Sequence, residues 1–390
     1  MPDPIISTTE SLSHSSSSDE FSTIERQYLN PESVNERFDI WLDTLRSVSE
    51  DEKIFFTQNL GVMLKSGLAV SRALRTLVLQ SSNPKFKRAL FKIFRNVEKG
   101  QTLAAAMELF PKIFSSLYVN MIRAGETAGQ LESILAELTR QMKRSHDLKQ
   151  KVRGAMMYPS AILIAMVGIG TGMVIFIIPR LVSIFKDLNA TLPLPTRILI
   201  GFSDWVNGNI FIVGPGAIIG AGLLIYATKK GPGKKIWHKI VLVTPIVKTI
   251  VKKINLARIS RTLGSLLKTD MPIVRSLTLA GNTLKNVHYK QSLLTMSTSI
   301  EKGKTISSEM TRYPGLYPPV VQQMVAVGEE TGELDNILSQ LADFYEDDVS
   351  QTMDSLPSLI EPILIVIMGA AVGGMAVAII LPMFTLTQAV

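Results

Sequence analysis

Displaced by 203 residues, this chain of 390 residues matches itself without a gap. Leu60-Gly61-Val62-Met63-Leu64-Lys65 faces Leu263-Gly264-Ser265-Leu266-Leu267-Lys268, and Glu98-Lys99-Gly100-Gln101-Thr102 faces Glu301-Lys302-Gly303-Lys304-Thr305. The densest match sets Gly125-Glu126-Thr127-Ala128-Gly129-Gln130-Leu131 against Gly328-Glu329-Glu330-Thr331-Gly332-Glu333-Leu334. A period of this kind means one folding unit used twice, and it removes any fold that cannot be cut into equivalent halves. Apolar residues recur with a helical period in both copies. Leu131, Ile134, Leu135, Leu138 and Met142 make one stripe, and Leu334, Ile337, Leu338, Leu341 and Tyr345 make its twin. No alternating strand pattern is sustained, so each copy is expected to be a helix bundle.

The repeat extends into apolar stretches, where Pro159 faces Pro362 and Pro179 faces Pro382. Between Arg153 and Arg180 lie 26 uncharged residues, against the roughly 20 apolar residues that a bilayer core demands of a helix. A second uncharged stretch runs from Trp205 to Thr228 and a third from Pro362 to Val390. The hydrophobic share of 46% and mean hydropathy of +0.24 suit a chain partly in a bilayer. The expected class is an all-α membrane protein with two homologous cytoplasmic bundles and three transmembrane helices. The expected division is an acidic Ser-rich tail with one amphipathic helix (1–50), domain 1 (51–153), span one (156–179), an extracytoplasmic loop (180–204), span two (207–228), domain 2 (229–361), span three (362–383) and an extracytoplasmic C-terminus (384–390).

Charge sets the expected direction. Residues 229–261 hold ten Lys and Arg and no acid, and basic residues precede span one, so both flanks are placed in the cytoplasm by the positive-inside rule. The tail carries ten acids and three bases with no apolar core, which argues against a signal peptide and for a cytoplasmic N-terminus. Phe38, Trp41, Leu42, Leu45 and Val48 fall on one helical face there, suited to the chain's own domain or to a partner or membrane surface. The stretch Ile236 to Ile250 is interrupted by His238, Lys239 and Lys248 and is expected to be an interfacial or core helix. Its basic character suits anionic headgroups rather than nucleic acid, for which interleaved aromatics are lacking.

The doubled Gly-Glu-x-x-Gly-x-Leu element, the Lys-Gly-x-Thr before it, Tyr158-Pro159, Glu361-Pro362 and Leu381-Pro382 carry a resemblance. From about residue 52 onward the chain resembles the platform-protein family of type II secretion and type IV pilus systems, the GspF/PilC family. The Ser-rich tail departs from that pattern. The resemblance implies a homo-oligomer in the bacterial cytoplasmic (inner) membrane without catalytic activity or cofactor. Implied partners are a hexameric secretion or pilus ATPase, pilin or pseudopilin subunits, other inner-membrane assembly components and the lipid bilayer. Secretion, pilus and DNA-uptake systems share such a scaffold and are not separated by sequence.

The residues themselves agree in kind. There are no cysteines, and His14, His146, His238 and His288 have no ligand spacing. Gly303-Lys304-Thr305 looks like the end of a P-loop, but Thr298 stands where the first glycine is needed. The spans carry no ionisable residue inside their cores, as a transporter would. Gly125, Glu126, Gly129, Gly328, Glu329 and Gly332 are expected to make tight helix connections, with Glu126 and Glu329 facing a partner as the sharper alternative. Gly168 with Gly172, Gly216 with Gly220 and Gly369 with Gly373 allow close helix packing, within the chain or between copies. Pro179 and Pro382 are expected to end or kink their helices. Finally, Arg140, Lys143, Arg144 and Lys151 align with Asp343, Glu346, Asp347 and Asp354. The stems before spans one and three are thus opposite in charge and are expected to pair, within one chain or between chains.

Overall fold

The computed structural model describes residues 47–180, 194–209 and 245–387, with isolated positions between 212 and 233. Among the described residues every regular element is a helix. The first repeat comprises α1 (Glu50–Lys65), α2 (Val70–Gln80), α3 (Pro84–Glu98), α4 (Leu103–Glu108), α5 (Ser116–Ala128) and α6 (Leu131–Gly172), which continues into a π-helical turn at Met173–Ile177. Next comes α7 (Leu194–Gly208). The second repeat comprises α8 (Pro245–Leu267), α9 (Ile273–Thr283), α10 (Val287–Ile300), α11 (Ile306–Met310), α12 (Pro319–Thr331) and α13 (Leu334–Thr387).

Local chemistry sets the starts. Ser49 and Glu52 form a capping box at α1, with Glu52 N donating to Ser49 Oγ at 3.1 Å and Ser49 N to Glu52 Oε2 at 2.8 Å. Asn83 accepts from the amides of Lys85 and Phe86 ahead of Pro84, a residue suited to the first helical position. Its own amide donates to Glu52 Oε2 at 3.1 Å and ties the starts of α1 and α3 together. Val48, expected on the tail's amphipathic helix, lies in the extended segment before this cap and packs on the core. Phe38, Trp41, Leu42 and Leu45 lie outside the described residues.

The chain divides into two compact units. One holds the residues up to His146 with Ile259–Thr283 and Leu293–Ser339; the other holds Asp147–Arg258, Leu284–Ser292 and Gln340 onward. In the first unit Phe56, Phe86, Phe114 and Tyr118 form an aromatic cluster, with centroids 5.6 Å apart for the edge-on pair Phe56 and Phe86. Thr57 donates its hydroxyl to Lys53 O, so the buried Tyr118 hydroxyl donates to Thr57 Oγ1, at 3.0 Å. Burial holds this phenol well above the usual tyrosine range. Leu266, Met271 and Leu279 of the second repeat belong to the same core as these first-repeat residues. Two homologous bundles were expected, and this core draws on residues of both repeats.

Both long helices run without a break from bundle to apolar segment. Leu131–Arg180 and Leu334–Gly374 are long and apolar enough to cross a membrane. Their apolar side chains, such as Ile164, Val167, Phe176, Val366 and Val372, are largely exposed, which is a poor arrangement in water. With 54 residues, α13 is about 80 Å long at ~1.5 Å per residue, far more than the ~30 Å of a hydrocarbon core. It continues past Pro382, which therefore does not end it, and helical residues continue through Pro179 to Arg180. Half of the expected second span (207–228) and all of residues 236–244 fall outside the described residues, and 245–250 begin α8. The interval expected as a loop, 180–204, contains most of α7. Ser203 of α7 is buried and donates to Val174 O at 2.7 Å, a carbonyl in the π-helical turn. Asn207 reinforces the contact by donating to Ser203 Oγ at 3.2 Å. A wider helical turn leaves backbone acceptors for such bonds.

Candidate functional site

The matched Gly-Glu-x-x-Gly-x-Leu elements join α5 to α6 and α12 to α13. Gly129 and Gly332 close the first helix of each pair with φ of 68° and 74°, a left-handed conformation that a side chain resists. Gly125 sits where the two helices touch. A Cβ there would lie 2.6 Å from Ile134 Cγ1, and one on Gly328 would lie 3.0 Å from Leu334 Cα. The glutamate between the glycines points back into its own repeat. Glu126 accepts from Leu103 N at 2.7 Å and Ala104 N at 3.1 Å, the first two amides of α4. Glu329 accepts from Ile306 N, from Ser307 N at 3.0 Å and from Ser307 Oγ at 2.6 Å, at the start of α11.

The Lys-Gly-x-Thr elements complete the arrangement. Thr102 Oγ1 accepts from Ala105 N at 3.2 Å, and Thr305 Oγ1 from Ser308 N at 3.3 Å. The first three amides of each short helix are thereby satisfied, by one threonine and one remote carboxylate placed where the helix dipole favours an anion. The two motifs are halves of one device: a short helix, α4 or α11, locked against the helix that precedes the long one, α5 or α12. The same geometry shows what the P-loop-like Gly303-Lys304-Thr305 does. Gly303 has φ of 83° after α10, Thr305 caps α11, and Lys304 Nζ donates to Glu309 Oε1 at 2.9 Å. Glu309 is 2% exposed and also accepts from Arg312 at 3.0 Å. Lys304 foremost, helped by Arg312 and Ser299, holds its carboxyl below the ordinary value against the opposing effect of burial. Ala106 occupies the equivalent, fully buried position of the first repeat.

The second unit contains the membrane-proximal stems. Leu148, Val152 and Ala155 of α6 meet Val349, Met353, Leu356 and Ile360 of α13, and Ile250 and Ile254 of α8 complete the cluster. Polar bonds flank this apolar contact. Lys253 donates to Asp348 Oδ1 at 2.7 Å and to Thr352 Oγ1 at 3.1 Å, while Lys151 donates to Ser350. Asp348 and Lys253 were not among the charges singled out from sequence. Of those that were, Arg140 donates to Glu137 of its own helix at 2.8 Å. Lys143, Arg144, Asp343, Asp347 and Asp354 are exposed, and Glu346 is half-buried. Charge is costly to bury, so the stems meet through apolar faces and turn most of the inverted charges outward.

The span glycines are open. No described atom lies within 4 Å of where a Cβ would stand on Gly168, Gly172, Gly216, Gly220, Gly369 or Gly373. Among the described residues no three His, Asp or Glu side chains are grouped as metal ligands.

A helical domain used twice, each copy running into an apolar helix of membrane-spanning length, defines an all-helical protein of the membrane-spanning class. Comparison with known proteins makes this specific. The family described as "Type II secretion system (T2SS), protein F" matches residues 56–179 and again 259–382. The chain is 32% identical to the type IV pilus assembly protein PilC of Myxococcus xanthus, over 93% of this chain and 88% of that protein. It is 35% identical to PilC of Thermus thermophilus over 84% and 81%, and 30% identical to type II secretion system protein F of Pseudomonas aeruginosa over 88% and 85%. The chain belongs to the type II secretion system protein F family.

Proposed function

We propose that this protein is the inner-membrane platform of a type IV pilus or type II secretion machine, coupling a cytoplasmic hexameric ATPase to the assembly or retraction of pilins or pseudopilins. It acts as a scaffold without catalytic chemistry of its own. The observation that carries this reading is mechanical. Each copy of the family domain is tied, through the close contact at Gly125 or Gly328, to a helix that continues into an apolar segment. A rotation or tilt imposed on the bundle is therefore passed to the membrane segment without an intervening loop. The charge distribution supports a multi-pass topology with the N-terminus and both repeats in the cytoplasm and the interval 181–193 outside.

The test is purification of the full chain in detergent with the secretion-type ATPase encoded beside it, scoring co-elution and ATPase rate. Charge reversal at the exposed Asp347 and Asp354 is expected to weaken co-elution at low salt. Glu126 and Glu329 are unsuitable for this, because they hold the fold of their own repeats. Absence of co-elution by the unmutated protein would remove the coupling reading. A periplasmic reporter enzyme inserted at 181–193 should be active, and the same reporter after Thr387 should be active too; an inactive pair would reverse the topology.

A further inference from the structure

Within the first unit, α9 of the second repeat lies against α5 of the first. Met271 and Leu279 enter the first repeat's core at 6% and 8% exposure, and between them Arg275 donates to Asn120 Oδ1. Leu117 and Ala124, on either side of Asn120, are partly buried against the same core. This contact is between unlike faces. One repeat offers its second helix, and the other receives it on its fifth.

Each repeat owns both faces, so one of each is left over. The receiving face of the second repeat is on α12, where Val320, Gln323 and Val327 take the places of Leu117, Asn120 and Ala124. Val320 and Val327 are 49% and 50% exposed, and Gln323 is exposed. The donating face of the first repeat precedes and follows Arg72, with Leu68, Arg72 and Thr76 in the places of Met271, Arg275 and Leu279. Leu68 and Thr76 are half-buried and Arg72 is exposed. The polar partners are retained in kind at both unused faces: a guanidinium on the donor and a side-chain carboxamide on the receiver.

We infer that α12 of one copy receives α2 of a second copy, with Arg72 donating to Gln323 as Arg275 donates to Asn120, so that copies associate head to tail. Such a heterologous contact repeats the intrachain one and leaves the same two faces at the ends of every oligomer until a ring closes. It rests on this chain's geometry and holds or fails independently of the machine that the platform serves.

The chain has no cysteine, so introduced thiols are the only ones. Full-length Arg72→Cys and Gln323→Cys chains carrying different tags are co-expressed and treated in membranes with a short bis-maleimide. A cross-linked dimer bearing both tags is expected, with little or none from either variant expressed alone. A Gln323→Cys homodimer instead would show a two-fold interface, and no mixed product would show that this face is not used; either overturns the inference. In detergent, Gln323→Arg sets two cations together and is expected to weaken association at least tenfold, and adding Arg72→Glu is expected to restore the native mass. An unchanged oligomer in Gln323→Arg also overturns it. Because these readouts are mass and cross-linking, ATPase co-elution without a mixed cross-link would sink the interface and leave the platform reading standing.

Discussion

Removing the Glu126 carboxylate isolates what the repeated Gly-Glu element does. In Glu126→Ala the amides of Leu103 and Ala104 lose their acceptors, while Ala105 N keeps Thr102 Oγ1 and Ala106 N keeps Thr102 O. Bonds to an ionised acceptor contribute ~1.5–3 kcal/mol each before water replaces them. The half-buried carboxylate lets water recover part of that, and loss of an anion at the helix start removes ~0.5 kcal/mol more. A net cost of about 2–3 kcal/mol in holding α4 follows. Since ~1.4 kcal/mol is a factor of ten, exchange of the 103–106 amides should quicken by roughly 30- to 140-fold. Hydrogen exchange with mass spectrometry on the full chain reads this directly. Glu126→Gln, which keeps one acceptor oxygen, should show about half the effect in free energy. Glu329→Ala should do the same to α11 and leave α4 unchanged. Exchange in Glu126→Ala within threefold of the native protein, or an equal response of both short helices to either substitution, would refute the capping account.

Gly125→Ala places a methyl against Ile134 and forces α5 from α6, so thermal unfolding should fall by the equivalent of about 1–3 kcal/mol. Gly129→Ala, strained by its backbone alone, should cost ~1–2 kcal/mol. Glu309 has a folded-state carboxyl below the ordinary 4.5, so its stabilising contribution is complete above that value and is lost as pH falls from there through the lowered one. Glu309→Gln should therefore flatten the decline of the melting temperature in that acid window, and an undiminished slope would locate it elsewhere. A double-mutant cycle on Lys253→Ala and Asp348→Ala should return a coupling of about 1 kcal/mol for this partly buried pair; additivity would reduce it to an incidental contact.

The architecture was legible because duplication prints it twice. The 203-residue displacement paired Glu126 with Glu329 and Gly129 with Gly332 before any coordinate was known, and the helical stripes at Leu131 and Leu334 marked where the long helices begin. Which way a glutamate side chain turns is not in the periodicity. Glu126 and Glu329 were open to a partner on sequence grounds, because the amides that donate to them, those of Leu103, Ala104, Ile306 and Ser307, lie 22 or 23 positions away. The stems are legible in part. Aligned charges at Arg140 to Lys151 and Asp343 to Asp354 suggested that the two stems lie together, and apolar residues between those charges make a contact. Lys253, on a third helix, supplies the cation that reaches Asp348. The alignment compared two helices and so could not nominate a third. The Arg72–Arg275 and Asn120–Gln323 correspondences were readable, but they gain meaning only once one pair is seen bonded.

A duplicated chain with two identical halves would be free to form a two-fold pair. This one departs from identity at positions that bias it. Glu309 with Lys304 and Arg312 stiffens only the second repeat's short helix, where the first has Ala106. The stems carry opposite charge, and each exposed ion pair is worth only about 0–1 kcal/mol, so their effect lies in which neighbour is disfavoured. A head-to-tail succession sets unlike repeats beside one another at every junction. On the head-to-tail arrangement inferred above, each junction sets a first repeat against a second, as Arg275 meets Asn120 inside the chain.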